Sequence, residues 1–244
     1  MSDMRSVVRL IDHAVLQPTQ TDADVRAACG LCRELVVASV CVKPSHVELA
    51  AELLAGSPVV ASTVIGFPHG GTSTAAKAAE TQVACRAGAR EVDMVVNIGK
   101  VLSGDWEFVA ADIRAVVEVA RAAGAITKVI FETGLLPDDA TKIRLCEISE
   151  ASGAAFVKTS TGFGYVKDAQ GALVATGATE HDIRLMRAQC SPAMEVKASG
   201  GIRSYPDAVK FVELGATRLG TSATQAIAAG EGAGDRRQET GDSY

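Results

Sequence analysis

Aromatic residues are scarce in this chain of 244 residues: they make up 4% of it, while hydrophobic residues as a whole make up 48%. A core with so few rings must rest on Ala, Val, Ile and Leu, which is typical of α/β proteins with buried parallel strands. The length permits two smaller domains, but it also suits a single (β/α)8 barrel of roughly 250 residues.

The chain also lacks a long apolar run and a cluster of basic residues. Its longest apolar stretch, 35–42, is interrupted by Ser39 and is far shorter than the ~20 residues that cross a bilayer. The polar N-terminus has no signal-peptide core, so we expect a cytoplasmic location. The formal net charge is −5 with dispersed basic residues. This pattern argues against nucleic-acid and membrane partners and favours a small-molecule ligand.

Metal and thiol motifs are equally sparse. The histidines lack the HxH and HExxH spacings of metal sites, so we expect neither a metal nor another cofactor. His69 could lie at the rim of a site, whereas surface or helix positions are expected for His13, His46 and His181. Cys29 and Cys32 form a lone CxxC within a helical stretch, which indicates helix packing rather than redox chemistry.

Short β-branched runs alternate with helical patterns along the chain. We predict eight strands: Val8–Leu16, Val37–Val42, Val59–Ile65, Glu91–Asn97, Ile126–Glu132, Ala154–Ser160, Met194–Ser199 and Thr217–Gly220. Eight strands separated by helices imply parallel crossovers and a closed barrel. The predicted fold class is therefore α/β, a single-domain (β/α)8 TIM barrel over residues 1–229. Residues 230–244 form a polar segment that we expect to be a flexible tail, too polar to pack as a helix.

Helix boundaries follow the same division of the chain. Four pairs fit N-terminal caps: Thr21 with Asp24, Ser45 with Glu48, Thr179 with Asp182, and Ser204 with Asp207. Five glycines stand where helices should end in a left-handed residue: Gly56, Gly88, Gly124, Gly153 and Gly215.

Charged residues inside the predicted strands need an explanation, because barrel strands are buried on both faces. Among them are Asp12, Asp93, Lys128, Lys158 and Lys197. Lys158 and Lys197 fall on neighbouring strands, and two ammonium groups ~4 Å apart repel by roughly 4 kcal/mol, about three pKa units. One amine would then be neutral enough to form a Schiff base, with Asp93 moving protons. The alternative is an ion-pair network that only holds the barrel together.

Glycine-rich segments follow the last three predicted strands, at 161–164 (TGFG), 199–203 (SGGIR) and 219–222 (LGTS). Loops at these positions of a barrel commonly bind phosphate through backbone N–H groups. Each glycine could instead only make a turn, but the three segments together favour a phosphate site.

The strings IDHAVLQPT, CVKPSHV, IGFPHG, EVDMVVNIG, KVIFETG, FVKTSTGF and VKASGGIR resemble, in order, the strand-end motifs of deoxyribose-phosphate aldolases. The resemblance extends from about Asp12 to Ser222. It implies a class I aldolase that reversibly cleaves 2-deoxy-D-ribose 5-phosphate to acetaldehyde and D-glyceraldehyde 3-phosphate through a lysine Schiff base. The implied partners are thus a phosphosugar and acetaldehyde, and a homodimer is possible.

The same resemblance implies a role for particular residues. Lys158 is similar to the Schiff-base lysine, Lys197 to the cation that lowers its pKa, and Asp93 to the acid/base carboxylate. Tyr244 resembles a C-terminal tyrosine that transfers the proton at the acetaldehyde methyl carbon. The remaining implied residues are Asp12 and Lys128 in a proton relay, Gly162, Gly200, Gly201, Gly220 and Ser222 as phosphate contacts, and Cys41 in the substrate site.

The chain departs from the common pattern of this family at Ala14, Gln17 and Lys43, and we expect Ala14 and Lys43 to alter contacts with the substrate. Two alternatives to an aldolase remain at this point. One is a phosphosugar isomerase that uses Asp93 as its base and forms no covalent adduct. The other is a phosphosugar-binding or structural barrel in which lysines and carboxylates only neutralise each other.

Overall fold

The structure is a computed structural model that describes residues 6–241, with side chains described as far as residue 233. Eight parallel strands close a barrel in the order β1, β2, β3, β4, β5, β6, β9, β10 and back to β1. Their bounds are β1 Ile11–Val15, β2 Ser39–Val42, β3 Val60–Ile65, β4 Glu91–Val95, β5 Ile126–Ile130, β6 Phe156–Lys158, β9 Glu195–Ser199 and β10 Arg218–Thr221. The predicted (β/α)8 TIM barrel is confirmed, and each predicted strand overlaps one of these.

Helices connect the strands and cover the outside of the barrel. They are α1 Asp22–Leu35, α2 Val47–Leu54, α3 Thr74–Arg86, α4 Ile98–Leu102, α5 Trp106–Ala122, α6 Asp139–Ala151, α7 Glu180–Gln189, α8 Tyr205–Glu213 and α9 Thr224–Gly241. Short 3₁₀ helices occupy Val7–Leu10, Pro44–His46 and Thr133–Leu135. The first of these corrects the predicted start of β1 at Val8, because the strand begins only at Ile11. No helix of the described residues is long and apolar enough to cross a membrane.

An antiparallel hairpin between β6 and α7 was not predicted. It consists of β7 (Tyr165–Lys167) and β8 (Leu173–Ala175). Both strands are three residues long, and the side chains of Tyr165, Leu173 and Val174 are exposed. Local patterning cannot identify such strands, because period-two alternation is detectable only where one face is buried.

Helix ends follow the predicted caps with one exception. The Thr21 and Ser204 side chains form capping boxes, and the Thr179 hydroxyl accepts the Asp182 N–H. The predicted box of Ser45 with Glu48 is wrong. Ser45 lies inside the Pro44–His46 3₁₀ helix, and α2 begins at Val47 without a side-chain cap. Pro44 has no N–H and a fixed φ, which suit the first position of a helix. The helical turn therefore begins at Pro44, and Ser45 lies inside it instead of capping it.

The five glycines predicted to end helices all have positive φ, between 72° and 108°. Only glycine adopts this region without strain, and each therefore stops its helix as predicted.

The last helix continues through the predicted domain boundary at residue 230. It extends to Gly241, so the prediction that this segment is too polar to be helical is wrong over residues 230–241. Glu231 anchors it, since its carboxylate accepts the Val7 N–H at 2.6 Å and the Ser6 hydroxyl at 2.8 Å. The predicted flexibility stays a prediction. Tyr244 lies outside the described residues.

The hydrophobic core lies between the barrel and the helices. It contains the outward-facing side chains of the strands, such as Val40, Val92, Val129 and Val196, all fully buried. One ion pair is embedded there. The Lys77 Nζ lies 2.5 Å from Asp112 Oδ2 and 2.9 Å from the Val95 carbonyl oxygen, and both charged side chains are buried.

We expect Asp112→Asn to lower the free energy of unfolding by about 3–5 kcal/mol, because the buried Lys77 ammonium loses its carboxylate while the side-chain volume is kept. Urea unfolding followed by circular dichroism measures this change. The matched control is Lys100→Ala, which removes the half-exposed pair with Asp105 and should cost no more than about 1 kcal/mol. Equal losses in the two variants would contradict the expected contribution of burial.

Candidate active site

A cavity of ≈340 Å³ opens at the carboxyl ends of the barrel strands. Its lining includes most of the predicted site residues: Asp12, Cys41, Lys158, Gly162, Lys197, Gly200, Gly201, Gly220 and Ser222. Asp93 and Lys128 do not line it. Both are fully buried in the barrel interior, where they contact the charged residues of the lining. The structure therefore brings these residues together, whereas His69, considered for the rim of a site, is not among the lining residues.

Strand register explains why the two lysines meet. Lys158 on β6 pairs with Lys197 on β9, and Asp93 on β4 pairs with Lys128 on β5. Residues that are paired across parallel strands point to the same face of the sheet. All four side chains consequently point into the barrel.

Asp93 holds three ammonium groups at once. Its Oδ2 lies 2.7 Å from the Nζ of Lys158 and 2.7 Å from that of Lys197, while its Oδ1 lies 2.8 Å from the Nζ of Lys128. Burial alone would raise the pKa of Asp93, but Lys128, Lys158 and Lys197 hold it well below its usual value. The carboxylate is therefore ionised and links β4 to β5, β6 and β9.

A second layer of charge lies below Asp93, and the sequence analysis missed two of its members. The Arg218 guanidinium lies 2.7 Å from Asp12 Oδ1 and 2.8 Å from Glu91 Oε2, and Lys128 lies 2.6 Å from Glu91. Glu91 and Arg218 stood inside predicted strands, two residues before Asp93 and Gly220 respectively. Period-two alternation would have placed both on the inner face.

Charge in this network is not balanced. Its cations are Lys128, Lys158, Lys197 and Arg218, and its carboxylates are Asp12, Glu91 and Asp93, so four positive groups face three negative ones. Lys158 is the least compensated amine. Within the described part of the chain, Lys158 contacts one carboxylate, that of Asp93, whereas Lys197 contacts two and Lys128 three.

The pKa values of the paired lysines move in opposite directions. Burial is the largest cause of the lowered pKa of Lys158, and the neighbouring Lys197 ammonium lowers it further while Asp93 opposes both. The repulsion expected from sequence therefore acts, but it is second to desolvation among the lowering causes. Burial also disfavours the charged form of Lys197, yet Asp12 and Asp93 raise its pKa above the ordinary value. The site thus combines an amine inclined to be neutral with one held as a cation.

The glycine loops also line the cavity. Gly162, Gly200 and Gly201 have φ values of 83°, 90° and 84°, which few other residues adopt. Among the described residues, the backbone N–H groups of these three glycines have no protein acceptor. They can therefore donate to an anion. Arg203, which sequence reasoning missed although it ends the SGGIR segment, also lines the cavity and supplies a cation there.

Two of the departures noted in the sequence, Ala14 and Gln17, line the cavity. Lys43 does not. Its Nζ instead donates to the backbone carbonyls of Gln17, Pro18 and Gln20, at 3.2, 3.4 and 2.7 Å. The expected contact of Lys43 with the substrate is therefore replaced by a contact that fixes the loop after β1.

The thiols and histidines carry less chemistry. Burial, followed by Asp93, raises the pKa of the Cys41 thiol, so it is held protonated. Burial also raises the pKa values of Cys29 and Cys32, to about 11 and about 12, in keeping with helix packing. His13 corrects its predicted surface or helix position, because it is buried on β1 with Nδ1 2.8 Å from Thr224 Oγ1. Over the described residues, no group of three or more His, Cys, Asp or Glu side chains could hold a metal.

Fold and site together define an enzyme of the (β/α)8-barrel class. Over residues 6–230 the sequence matches the family described as DeoC/LacD family aldolase. The chain belongs to this family.

Several relatives carry one name. The chain is 47% identical over 229 residues to deoxyribose-phosphate aldolase of Clostridium perfringens. The aligned residues cover 94% of this chain and 97% of the relative. It is 48% identical over 227 residues to deoxyribose-phosphate aldolase of Macrococcus caseolyticus, covering 93% and 97%. The structure is similar to the tetrameric deoxyribose phosphate aldolase from Aeropyrum pernix, with a TM-score of 0.80 and 33% identity over 91% of this chain and 88% of that one.

Gly220 gives a direct test of the site geometry. A Cβ at this position would lie 2.7 Å from Ser199 Cβ and 3.1 Å from Lys197 Cε. We expect Gly220→Ala to displace the Lys197 amine and to lower kcat for aldol cleavage about ten- to hundredfold.

The control for that substitution is Gly30→Ala in α1, where an added Cβ meets nothing within 4 Å. It should leave kcat unchanged and stabilise the fold by about 0.5–1 kcal/mol. Steady-state kinetics with thermal unfolding of both variants checks the pair. Full activity in Gly220→Ala would show that the position of Lys197 is not restricted by this glycine.

Proposed function

We propose that this protein reversibly cleaves 2-deoxy-D-ribose 5-phosphate to acetaldehyde and D-glyceraldehyde 3-phosphate through a Schiff base on Lys158. One observation carries the proposal: Lys158 lines the cavity and is the least compensated amine of a network in which cations outnumber carboxylates. The relatives named deoxyribose-phosphate aldolase support the choice of substrate.

In the first steps, the neutral Lys158 amine attacks the C1 aldehyde of the open-chain sugar and forms a carbinolamine. Loss of water then gives an iminium ion. Lys197 supplies the proton that the leaving hydroxyl needs, because it stays cationic beside Lys158. Asp93 Oδ2 lies 2.7 Å from both amines and can carry a proton between them.

Carbon–carbon cleavage uses the iminium as its electron sink. The C3 hydroxyl gives its proton to the Lys197 amine, which lost a proton in the dehydration step and lines the cavity. The C2–C3 bond then breaks, and its electrons form an enamine on Lys158 while C3 becomes the aldehyde of glyceraldehyde 3-phosphate. Protonation at C2 and hydrolysis release acetaldehyde and the free amine. The C-terminal Tyr244 is our proposed proton donor at C2, as the family resemblance implies.

The glycine loops that line the cavity bind the phosphate. Gly162, Gly200 and Gly201 offer backbone N–H groups, and Arg203 adds a positive charge. Fixed N–H dipoles and a guanidinium form the usual environment of a phosphate in a barrel of this class. Gly220 and Ser222, which also line this part, complete the proposed contacts.

The isomerase alternative is disfavoured by the position of Asp93. A base for proton abstraction must reach the substrate, but Asp93 lies below the cavity lining and contacts lysines through both oxygens. The possible homodimer, the cytoplasmic location and the independence from metals and cofactors stay predictions from the sequence.

Incubation with acetaldehyde and borohydride should add one reduced two-carbon unit irreversibly to Lys158. The reason is that Lys158 combines access from the cavity with a lowered pKa, so it is the amine that is free to attack. Intact mass and peptide mapping locate the adduct. Lys158→Arg is the control and should remain unlabelled. Labelling of Lys197 alone in the unaltered protein would refute the assignment.

Lys197→Leu should shift the pH dependence of activity. Without the Lys197 ammonium, the repulsion that it exerts on Lys158 disappears. Asp93 Oδ2, which contacts both amines in the unaltered protein, then contacts Lys158 alone. Both changes raise the pKa of Lys158. The neutral amine then forms only at higher pH, and the acidic limb of the kcat/KM profile moves upward, while kcat falls.

The matched control is Lys210→Leu, which removes an exposed lysine 3.4 Å from Glu180 on the outer surface. Its pH profile should coincide with that of the unaltered protein. An unshifted acidic limb in Lys197→Leu would mean that burial alone determines the pKa of Lys158.

A further inference from the structure

A buried carboxylate outside the charged network, that of Glu132, lies behind the glycine loops. Glu132 follows β5, is 1% exposed and has a φ of 55°. Left-handed backbone is uncommon for a residue other than glycine and persists where the surroundings enforce it. In the described part of the chain, every hydrogen-bond partner of this carboxylate is a neutral hydroxyl or backbone group.

One carboxylate oxygen of Glu132 is bound by the loop that carries Gly162. Glu132 Oε2 accepts the Thr161 backbone N–H at 3.2 Å and also the Thr161 hydroxyl. The Thr161 Oγ1 in turn accepts the Phe163 N–H at 2.9 Å. The polar groups on both sides of Gly162 are therefore turned towards the protein, and the Gly162 N–H remains available to a ligand.

The second carboxylate oxygen reaches the other glycine loop. Glu132 Oε1 accepts the Thr176 hydroxyl at 3.2 Å. The next residues pack against Gly200: the Ala178 N–H donates to the Gly200 carbonyl at 3.1 Å, and a Cβ on Gly177 would lie 2.7 Å from that same oxygen. One side chain thus connects the two segments that hold Gly162 and Gly200.

We propose that Glu132 is a positioning residue that sets the geometry of the phosphate-binding loops and thereby the preference for phosphorylated over unphosphorylated substrate. It is not part of the cavity lining, so it acts through Thr161 and Thr176. Backbone donors bind an anion well only when they are fixed in advance, because mobile donors lose that arrangement to entropy. The inference rests on the proposed function, since it presumes a phosphosugar substrate.

Glu132→Gln tests the inference without changing the side-chain volume. The neutral amide removes the charge that strengthens the bonds donated by Thr161, and the Thr176 hydroxyl must turn from donor to acceptor if the amide nitrogen faces it. We expect kcat/KM for 2-deoxyribose 5-phosphate to fall about ten- to hundredfold, with most of the loss in KM. For unphosphorylated 2-deoxyribose the change should stay within about threefold. Competitive inhibition by inorganic phosphate should weaken in parallel, and borohydride trapping of acetaldehyde on Lys158 should be retained.

Glu80→Gln is the matched control. The Glu80 carboxylate accepts the Gly66 N–H at 2.7 Å in a loop after β3 that does not line the cavity. This variant should leave the ratio of the two substrates and the phosphate inhibition constant unchanged.

A second variant covers the case in which Glu132→Gln does not fold. Thr176→Val removes one donor to Glu132 and should change the substrate ratio in the same direction by a smaller factor.

Equal losses on both substrates, or unchanged phosphate inhibition, would overturn the inference. A failure of the proposed function is distinguishable, because the unaltered protein would then neither trap acetaldehyde nor cleave deoxyribose phosphate.

Discussion

The contact of one Asp93 carboxylate with three lysine ammonium groups is the interaction on which the site depends. Buried charges are tolerated only when they are paired, because each loses its hydration. Here the pairing is incomplete, since the described residues of this network comprise four cations and three carboxylates. Loss of one ammonium proton removes the excess positive charge. It is easiest at the amine with a single carboxylate contact, which is Lys158. The lowered pKa of Lys158 thus follows first from burial and then from the like charge of Lys197, which this imbalance leaves only partly offset by Asp93.

Such an interior has a consequence for stability. Barrels of this class usually fill their centre with layers of branched apolar side chains, but here charged side chains occupy much of that space. Hydrophobic burial therefore lies mainly outside the barrel, where strand residues such as Val92 and Val196 pack against the helices. Packing against the helices holds the strands in place, and the strands in turn keep the interior charges in register. The separation allows the inner face to be selected for chemistry while the outer face maintains the fold.

Much of this architecture was predictable from local patterns. Strands were recognisable as β-branched runs, and charged residues within them, such as Lys158 and Asp93, indicated the interior chemistry. The pairing of those charges was not predictable, because the contact of Lys197 with Asp12 joins residues 185 positions apart and depends on strand register. Glu132 was missed for a related reason. Its role depends on a left-handed backbone and on loops folded over it, neither of which leaves a period in the sequence.

The strands also limit the distance along the chain between the lysines of the site and its glycine loops. Lys158 and Gly162 are four residues apart on and after β6, and Lys197 and Gly200 are three residues apart on and after β9. Fully extended chain advances no more than about 3.3–3.6 Å per residue, so these Cα atoms are separated by at most roughly 10–14 Å. Because two neighbouring strands repeat nearly the same offset, each lysine is followed along its own strand by a glycine loop that lines the same cavity. This arrangement suits the proposed substrate, which has an aldehyde at one end and a phosphate at the other, and the proposed role of Glu132 is to hold the glycine loops from outside the cavity lining.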